Sequence, residues 1–149
     1  MEGMYAAVWA GLVIGLAGLW VGYGQSLVWK TSIDILGKNP RLADTLRIYT
    51  LLGIALVETA IIYALVIAFR ILGDDTLTTA QIMGAAMAMW TTAFIAWVGE
   101  GKMVASALES VNRNPDNKTQ VLQFMILFLA LIETVAVYGL IISFQILSK

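Results

Sequence analysis

Residues 52–72 read LGIALVETAIIYALVIAFRIL, and residues 127–147 read LFLALIETVAVYGLIISFQIL. Aligned without a gap at an offset of 75, eleven of the 21 positions are identical. Glu58 falls on Glu133, Thr59 on Thr134, Tyr63 on Tyr138 and Phe69 on Phe144. The same offset superposes two turns, Lys38-Asn39-Pro40 on Arg113-Asn114-Pro115. A repeat of this kind is read before anything else, because it defines the folding unit. Here the unit is about half the chain, 1–74 followed by 75–149, and both halves enter the fold the same way up.

Composition says what the unit is made of. The chain has 149 residues, 60% apolar and 13% charged, where soluble globular domains run near 45–50% and 25%. Residues 3–29 and 76–99 carry no charge; 48–69 and 119–148 are broken only by Glu58 and Glu133. A membrane-crossing helix needs about 20 mostly apolar residues, so the expected fold is all-α, with four spans near 4–36, 42–72, 77–111 and 118–148. They form two tandem antiparallel helical hairpins. Helices of about 30 residues reach roughly 45 Å and project beyond the hydrocarbon layer. The first span opens without a basic segment and its apolar run is long, so it is read as retained rather than as a cleaved leader.

The remaining charges orient the unit. Seven of nine basic residues (Lys30, Lys38, Arg41, Arg47, Lys102, Arg113 and Lys118) flank the two Asn-Pro turns. Arg70 and Lys149 fall at the other end, with Glu2, Asp74 and Asp75. The positive-inside rule puts the turns in the cytoplasm and both termini outside. Proline pushes the preceding asparagine out of the α region, so each Asn-Pro ends one helix and opens the next. One such turn is ordinary punctuation; two in register, each after a basic residue, mark a shared docking surface.

No Cys means no disulfide or thiolate site, and no His removes the usual imidazole base and ligand. A net charge of −1 without a basic block offers no footprint for nucleic acid. No Gly-x₄-Gly-Lys-Ser/Thr phosphate loop occurs.

The acids inside the spans remain. A carboxylate there costs about 2.5–3.5 kcal/mol on insertion scales, and such residues are functional by default. Interhelical hydrogen bonding is the plainer role, but the acid recurs in identical Glu-Thr-x₃-Tyr settings. Gln25 and Glu58 are symmetric about the first turn, and Glu100 and Glu133 about the second. Each stands about 16 residues, or roughly 25 Å, from its turn. The first hairpin therefore matches an amide with a carboxylate, the second two carboxylates. With the Thr59 and Thr134 hydroxyls these are hard oxygen donors suited to hard cations. A divalent ion wants more carboxylates than the first hairpin offers, leaving Na⁺ or H⁺. Two adjacent carboxylates in low dielectric do not both stay ionised without a cation, so Glu100 and Glu133 are expected to share one proton beside a bound cation.

These features together, across nearly the whole chain, resemble the c-type proteolipid of rotary ATP synthases, in a duplicated four-helix form. The resemblance implies a membrane ring of many copies, with the first and third spans inside. Glu58 and Glu133 match the ion-carrying acid. Gln25 matches the inner-helix glutamine of sodium-binding members, and Glu100 a variant with an acid there. Thr59 and Thr134 match the hydroxyl after the acid, Leu56 and Leu131 the backbone carbonyl ligand, and Tyr63 and Tyr138 the tyrosine supporting the acid. Each site should straddle adjacent hairpins, giving up to two ions per chain. The loops Lys38, Asn39, Pro40, Arg41 and Arg113, Asn114, Pro115 should dock the central stalk, and a stator protein should supply an essential arginine. Na⁺ is the expected ion, H⁺ the alternative. Two other classes compete. A small cation-coupled four-helix drug transporter predicts no parallel repeat, and a structural tetraspan protein predicts glutamates dispensable for transport.

One departure stands out. Gly11, Gly15, Gly18 and Gly22 form a stripe of small residues on the first span, but their counterparts are Ala86, Trp90, Ala93 and Trp97. The first and third spans are therefore not equivalent. The two indoles are expected to face lipid or the central pore, or to be ordinary bulky interfacial residues. Met83, Met87 and Met89 are read as apolar packing.

Overall fold

The computed structural model describes residues 2–149. Met1 and the side chain of Glu2, whose charge the sequence assigns to the outer face, lie outside the described residues. Helix α1 runs Glu2–Lys38, α2 Ala43–Val57, α3 Thr59–Leu72, α4 Thr79–Arg113 and α5 Lys118–Leu147. Short 3₁₀ turns, Pro40–Leu42 and Pro115–Asn117, join α1 to α2 and α4 to α5. Four stretches are long and apolar enough to cross a membrane: Gly3–Lys38, Pro40–Leu72, Thr79–Arg113 and Pro115–Leu147. Helices suit a bilayer because every backbone N–H and C=O is bonded within its own segment.

The two Asn-Pro turns have one conformation. Asn39 has φ −138° and ψ 76°, and Asn114 φ −143° and ψ 88°. Both are held out of the helical region by the following proline, which then occupies the first position of the 3₁₀ turn. At the opposite end Thr78 caps α4: its hydroxyl accepts from the Gln81 backbone N–H, and the Gln81 side chain accepts from the Thr78 N–H. Such reciprocal capping satisfies two donors that the first helical turn leaves free.

The second span differs from the single helix expected over 42–72. It is interrupted at Glu58, which keeps right-handed helical angles (φ −77°, ψ −19°). The Ile61 N–H reaches back only three residues to the Glu58 carbonyl, at 3.2 Å, so the ladder tightens locally. The Thr59 hydroxyl meanwhile takes the Leu56 carbonyl at 2.7 Å, the local competition that Ser and Thr offer a helix backbone. Thr134 makes the same bond to Leu131 without breaking α5. Thr59 differs in also reaching the other hairpin.

Helices α1 and α4 lie side by side, backed by α2–α3 and α5; α4 packs chiefly on α1 and α5. Small residues let the backbones approach. A Cβ on Gly101 would sit 2.8 Å from the Gly24 Cα. One on Gly139 would run into the Thr92 hydroxyl and approach the Ala88 carbonyl to 3.0 Å. Across α4–α5 the buried Ser143 hydroxyl reaches the Ala85 carbonyl at 2.8 Å. Many large apolar side chains remain exposed, among them Leu19, Ile33, Phe69 and Phe124. Isolated in water that would be a liability; around apolar helices of membrane-crossing length it is a surface suited to lipid.

Candidate ion-binding site

The functional geometry begins at the break beside Glu58. Thr59, on hairpin one, presents its hydroxyl 2.6 Å from Oε1 of Glu133, on hairpin two. The same hydroxyl lies 2.7 Å from the Leu56 carbonyl oxygen. It has one hydrogen for two acceptors. Three oxygens this close therefore need a further proton or a cation among them. The Tyr63 hydroxyl, one turn along α3, also faces Glu133.

Glu100 completes the cluster from α4. It adjoins Glu133, is 0% exposed, and neither of its carboxylate oxygens has a hydrogen-bond partner. Glu133 Oε2 is likewise buried and unpartnered. Buried polar atoms are normally paired, so three orphan oxygens converging on one point describe a receptacle for something positive. No basic group answers them. The ion pairs among the described residues are Arg47–Asp44, Arg70–Asp74 and Arg113–Glu109, all away from this cluster.

The wall behind Glu100 is aromatic. Trp97, one turn earlier on α4 and 1% exposed, stacks on Trp20 of α1 with centroids 5.5 Å apart and planes 12° apart. Phe94 and Tyr23 meet Trp97 edge-on. Gly24 leaves the space, since a Cβ there would lie 3.1 Å from the indole. Trp97 thus faces neither lipid nor pore and is no ordinary interfacial residue. It fills the α1–α4 seam, where Gly24 leaves room for close packing against the indole. Trp90 is partly buried and packed against the same core. Of the three methionines, Met89 is buried while Met83 and Met87 are exposed. Nothing in the sequence pattern named Trp20 or Gly24; the only available signal was that Trp97 replaces Gly22 in the repeat.

The other half-set is not assembled within one chain. Glu58 is exposed and Gln25 half-buried on hairpin one. Leu131 and Tyr138, 57% and 62% exposed, lie on hairpin two, with Thr134 partly covered. Shifted by 75, these are the counterparts of Glu133, Glu100, Leu56, Tyr63 and Thr59. One set is closed inside the chain; the other is divided between its two open edges. At the turn end, Lys38, Pro40, Arg41, Arg113, Asn114 and Pro115 are exposed and Asn39 partly so. One cleft lined by Asp34, Lys38, Glu109 and Arg113 joins the two turns.

Comparison with known proteins accords with this duplication. The sequence profile of the ATP synthase c subunit matches residues 8–71 and again 83–146, two stretches offset by the same 75 residues. The chain is 30% identical over 78 residues to the ATP synthase c subunit of Syntrophobacter fumaroxidans, covering 52% of this chain and 87% of that one. It is 37% identical over 71 residues to the ATP synthase c subunit of Protochlamydia amoebophila (48% and 72%). It is 36% identical over 73 residues to an ATP synthase c subunit of Cereibacter sphaeroides, the one numbered 2 (49% and 88%). Each of these relatives thus corresponds to about one hairpin.

Proposed function

Because this chain belongs to the family of ATP synthase c subunits and so is a component of a rotor ring, we propose that the ion it carries is Na⁺, bound on Glu58 and Glu133. The observation carrying the choice is the number of oxygens at the closed site. Leu56 O, Thr59 Oγ1 and the four carboxylate oxygens of Glu133 and Glu100 meet there, three of them unpartnered. A proton is satisfied by one donor and one acceptor; a larger hard cation uses several oxygens at once. H⁺ remains the competing cargo, because a protonated Glu133 donating to Thr59, with Thr59 donating to Leu56, is also a complete chain.

In this mechanism Glu133 supplies the charge, Thr59 and Leu56 supply neutral oxygens, and Tyr63 holds the carboxylate in place. A loaded site is neutral enough to face lipid, whereas an empty carboxylate there costs several kcal/mol (about 2.5–3.5 on insertion scales). Rotation through lipid is therefore restricted to filled sites, and emptying requires a polar path with a compensating cation. An arginine on a stator protein meets that need. The Asn-Pro turns face the cytoplasm and dock the central stalk, with both termini on the outer side. The separated set, Gln25 and Glu58 on one copy with Leu131, Thr134 and Tyr138 on the preceding one, is completed by ring closure.

The test is residue-resolved carbodiimide labelling of the purified ring at fixed pH. Added Na⁺ should protect both Glu58 and Glu133. Protection of neither means the cargo is H⁺.

A further inference from the structure

The two open edges of the chain carry the halves of a contact that the chain already makes with itself. On hairpin one, Val28, Ile35, Leu42, Leu46, Tyr49 and Gly53 are all buried. Val104, Leu108 and Val111, along one face of α4, are buried in the same cluster. Val104 lies so close that a Cβ on Gly53 would sit 2.5 Å from it, and the Tyr49 hydroxyl donates to the Lys118 carbonyl of hairpin two. Shifted by 75, both halves recur uncovered. The α4 ridge becomes Trp29, Ile33 and Leu36 on α1, which are 48%, 63% and 42% exposed. The groove becomes a cleft of about 390 Å³ between α4 and α5, lined by residues that include Met103, Ser106, Ser110, Val121, Phe124 and Phe128.

We infer that the Trp29–Ile33–Leu36 ridge of one copy docks in the α4–α5 groove of the preceding copy, with the Trp29 indole packed on Phe128, and so locks neighbouring chains together near the turns. This rests on assembly into a ring and is independent of the ion the ring carries.

The substitutions on the two sides match. Phe128 stands in the place of Gly53, and Trp29 in that of Val104. Neighbouring chains cannot approach there as closely as the two hairpins of one chain, and the indole takes up the added width. Phe124 and Phe128 are stacked, with centroids 5.9 Å apart and planes 22° apart, a platform for a third aromatic ring. The Ser106 and Ser110 hydroxyls in the groove are acceptors for the indole N–H, a group that Val104 lacks. At the level of the ion site the exchange runs the other way: Trp97 inside the chain, Gly22 between chains. Bulk thus lies toward opposite ends of the two interfaces, which splays hairpins of one chain and hairpins of neighbouring chains in opposite senses. A tryptophan near a membrane face also has a plainer use among lipid headgroups. Against that use, Ile33 and Leu36 continue the apolar ridge beyond Trp29 toward the turn. Helix α1 has 37 residues, roughly 55 Å, against about 30 Å of hydrocarbon, so its last turns project past the lipid chains. An apolar ridge at that end calls for a protein partner.

The chain has no Cys, so an introduced pair reports on this contact alone. Rings carrying both Trp29→Cys and Phe128→Cys, oxidised in the membrane and dissociated without reductant, should give a ladder of dimers, trimers and higher species. Either single variant should give single copies. Single copies from double-variant rings that native electrophoresis shows to be intact overturn the proposal. Leu127 is exposed, as is its counterpart Leu52, so it faces lipid at the same height. If Trp29→Cys and Phe128→Cys in intact rings react with a lipid-soluble maleimide as fast as Leu127→Cys, lipid occupies the groove and the proposal falls. Should the double variant not assemble, Trp29→Ala decides, since its side chain is exposed in the single chain and its loss spares the fold. The fraction of rings surviving heating in detergent should fall at least threefold, and in Leu127→Ala it should stay unchanged. Equal survival of these two variants overturns the proposal.

Discussion

Glu58 and Glu133 have the same neighbours in sequence and different neighbours in space. Glu133 meets the Thr59 hydroxyl of the other hairpin, whereas Glu58 is exposed at an open edge. Their ligands are therefore separable by mutation. Thr59→Val keeps the side chain's shape and removes a hydrogen bond to a charged group, worth about 1.5–3 kcal/mol. Roughly ten- to hundredfold more Na⁺ should then be needed to protect Glu133 from carbodiimide, with protection of Glu58 little changed. Thr134→Val should do the reverse in the assembled ring. Equal effects of either substitution on both glutamates would show that the hydroxyls do not serve separate sites. Glu133→Gln removes the charge itself, and ATP-driven Na⁺ uptake by vesicles carrying the complete enzyme should fall at least tenfold, since a full turn must pass every site.

At the scale of elements, close helix approach places the acids at matched depth. Gly101 touches the Gly24 backbone, which cannot swing aside as a side chain can. Gly101→Ala should cost about 1–3 kcal/mol through overpacking and lower the temperature at which rings dissociate in detergent. The α3–α4 loop offers a pH-dependent element outside the membrane. Asp74 accepts from the Thr76 hydroxyl at 2.6 Å, from Arg70 at 2.7 Å and from the Thr76 N–H at 3.0 Å. Chiefly through the Thr76 hydroxyl, and then Arg70, these bonds hold its carboxyl down at about 2. A depressed acid stabilises the folded loop above its ordinary value and loses that contribution as pH falls through the depressed one. The protection of the Thr76 and Leu77 amides, taken relative to their intrinsic exchange rate at each pH, should accordingly fall progressively as the pH drops from about 5 to about 1; in Asp74→Asn it should be lower at neutral pH already.

For the molecule as a whole, the duplication makes the contact within one chain a template for the contact between chains. Trp97 of α4 looks toward Trp20, Tyr23 and Gly24 of α1. If neighbouring copies repeat that contact, the 75-residue shift turns Gly22 of one copy toward Ile95, Val98 and Gly99 of the preceding copy. Gly22→Trp should leave the helical content of the single chain intact, because nothing lies within 4 Å of the new side chain's root. Ring assembly should be altered or lost, as seen by native electrophoresis and by counting copies in images. Unchanged rings would mean that α1 and α4 of neighbouring copies do not meet through this face.

The four apolar spans and the turns were legible from the sequence. An unbroken apolar stretch of about 20 residues satisfies its backbone in a bilayer by forming a helix, and each proline here holds the preceding asparagine out of the helical region. The repeat further marked Glu58, Glu133, Gln25 and Glu100 as matched in depth, because helical rise converts separation along the chain into height. Sequence also carried the resemblance that led to Thr59 and Leu56. What it did not determine was lateral: which hairpin faces which, and what fills the space between. Stacking of Trp97 on Trp20 over Gly24, the interruption at Glu58 and the division into a closed and an open set of ligands depend on contacts between helices. Side-chain volume and shape select those contacts, and periodicity along one helix carries no record of its neighbour.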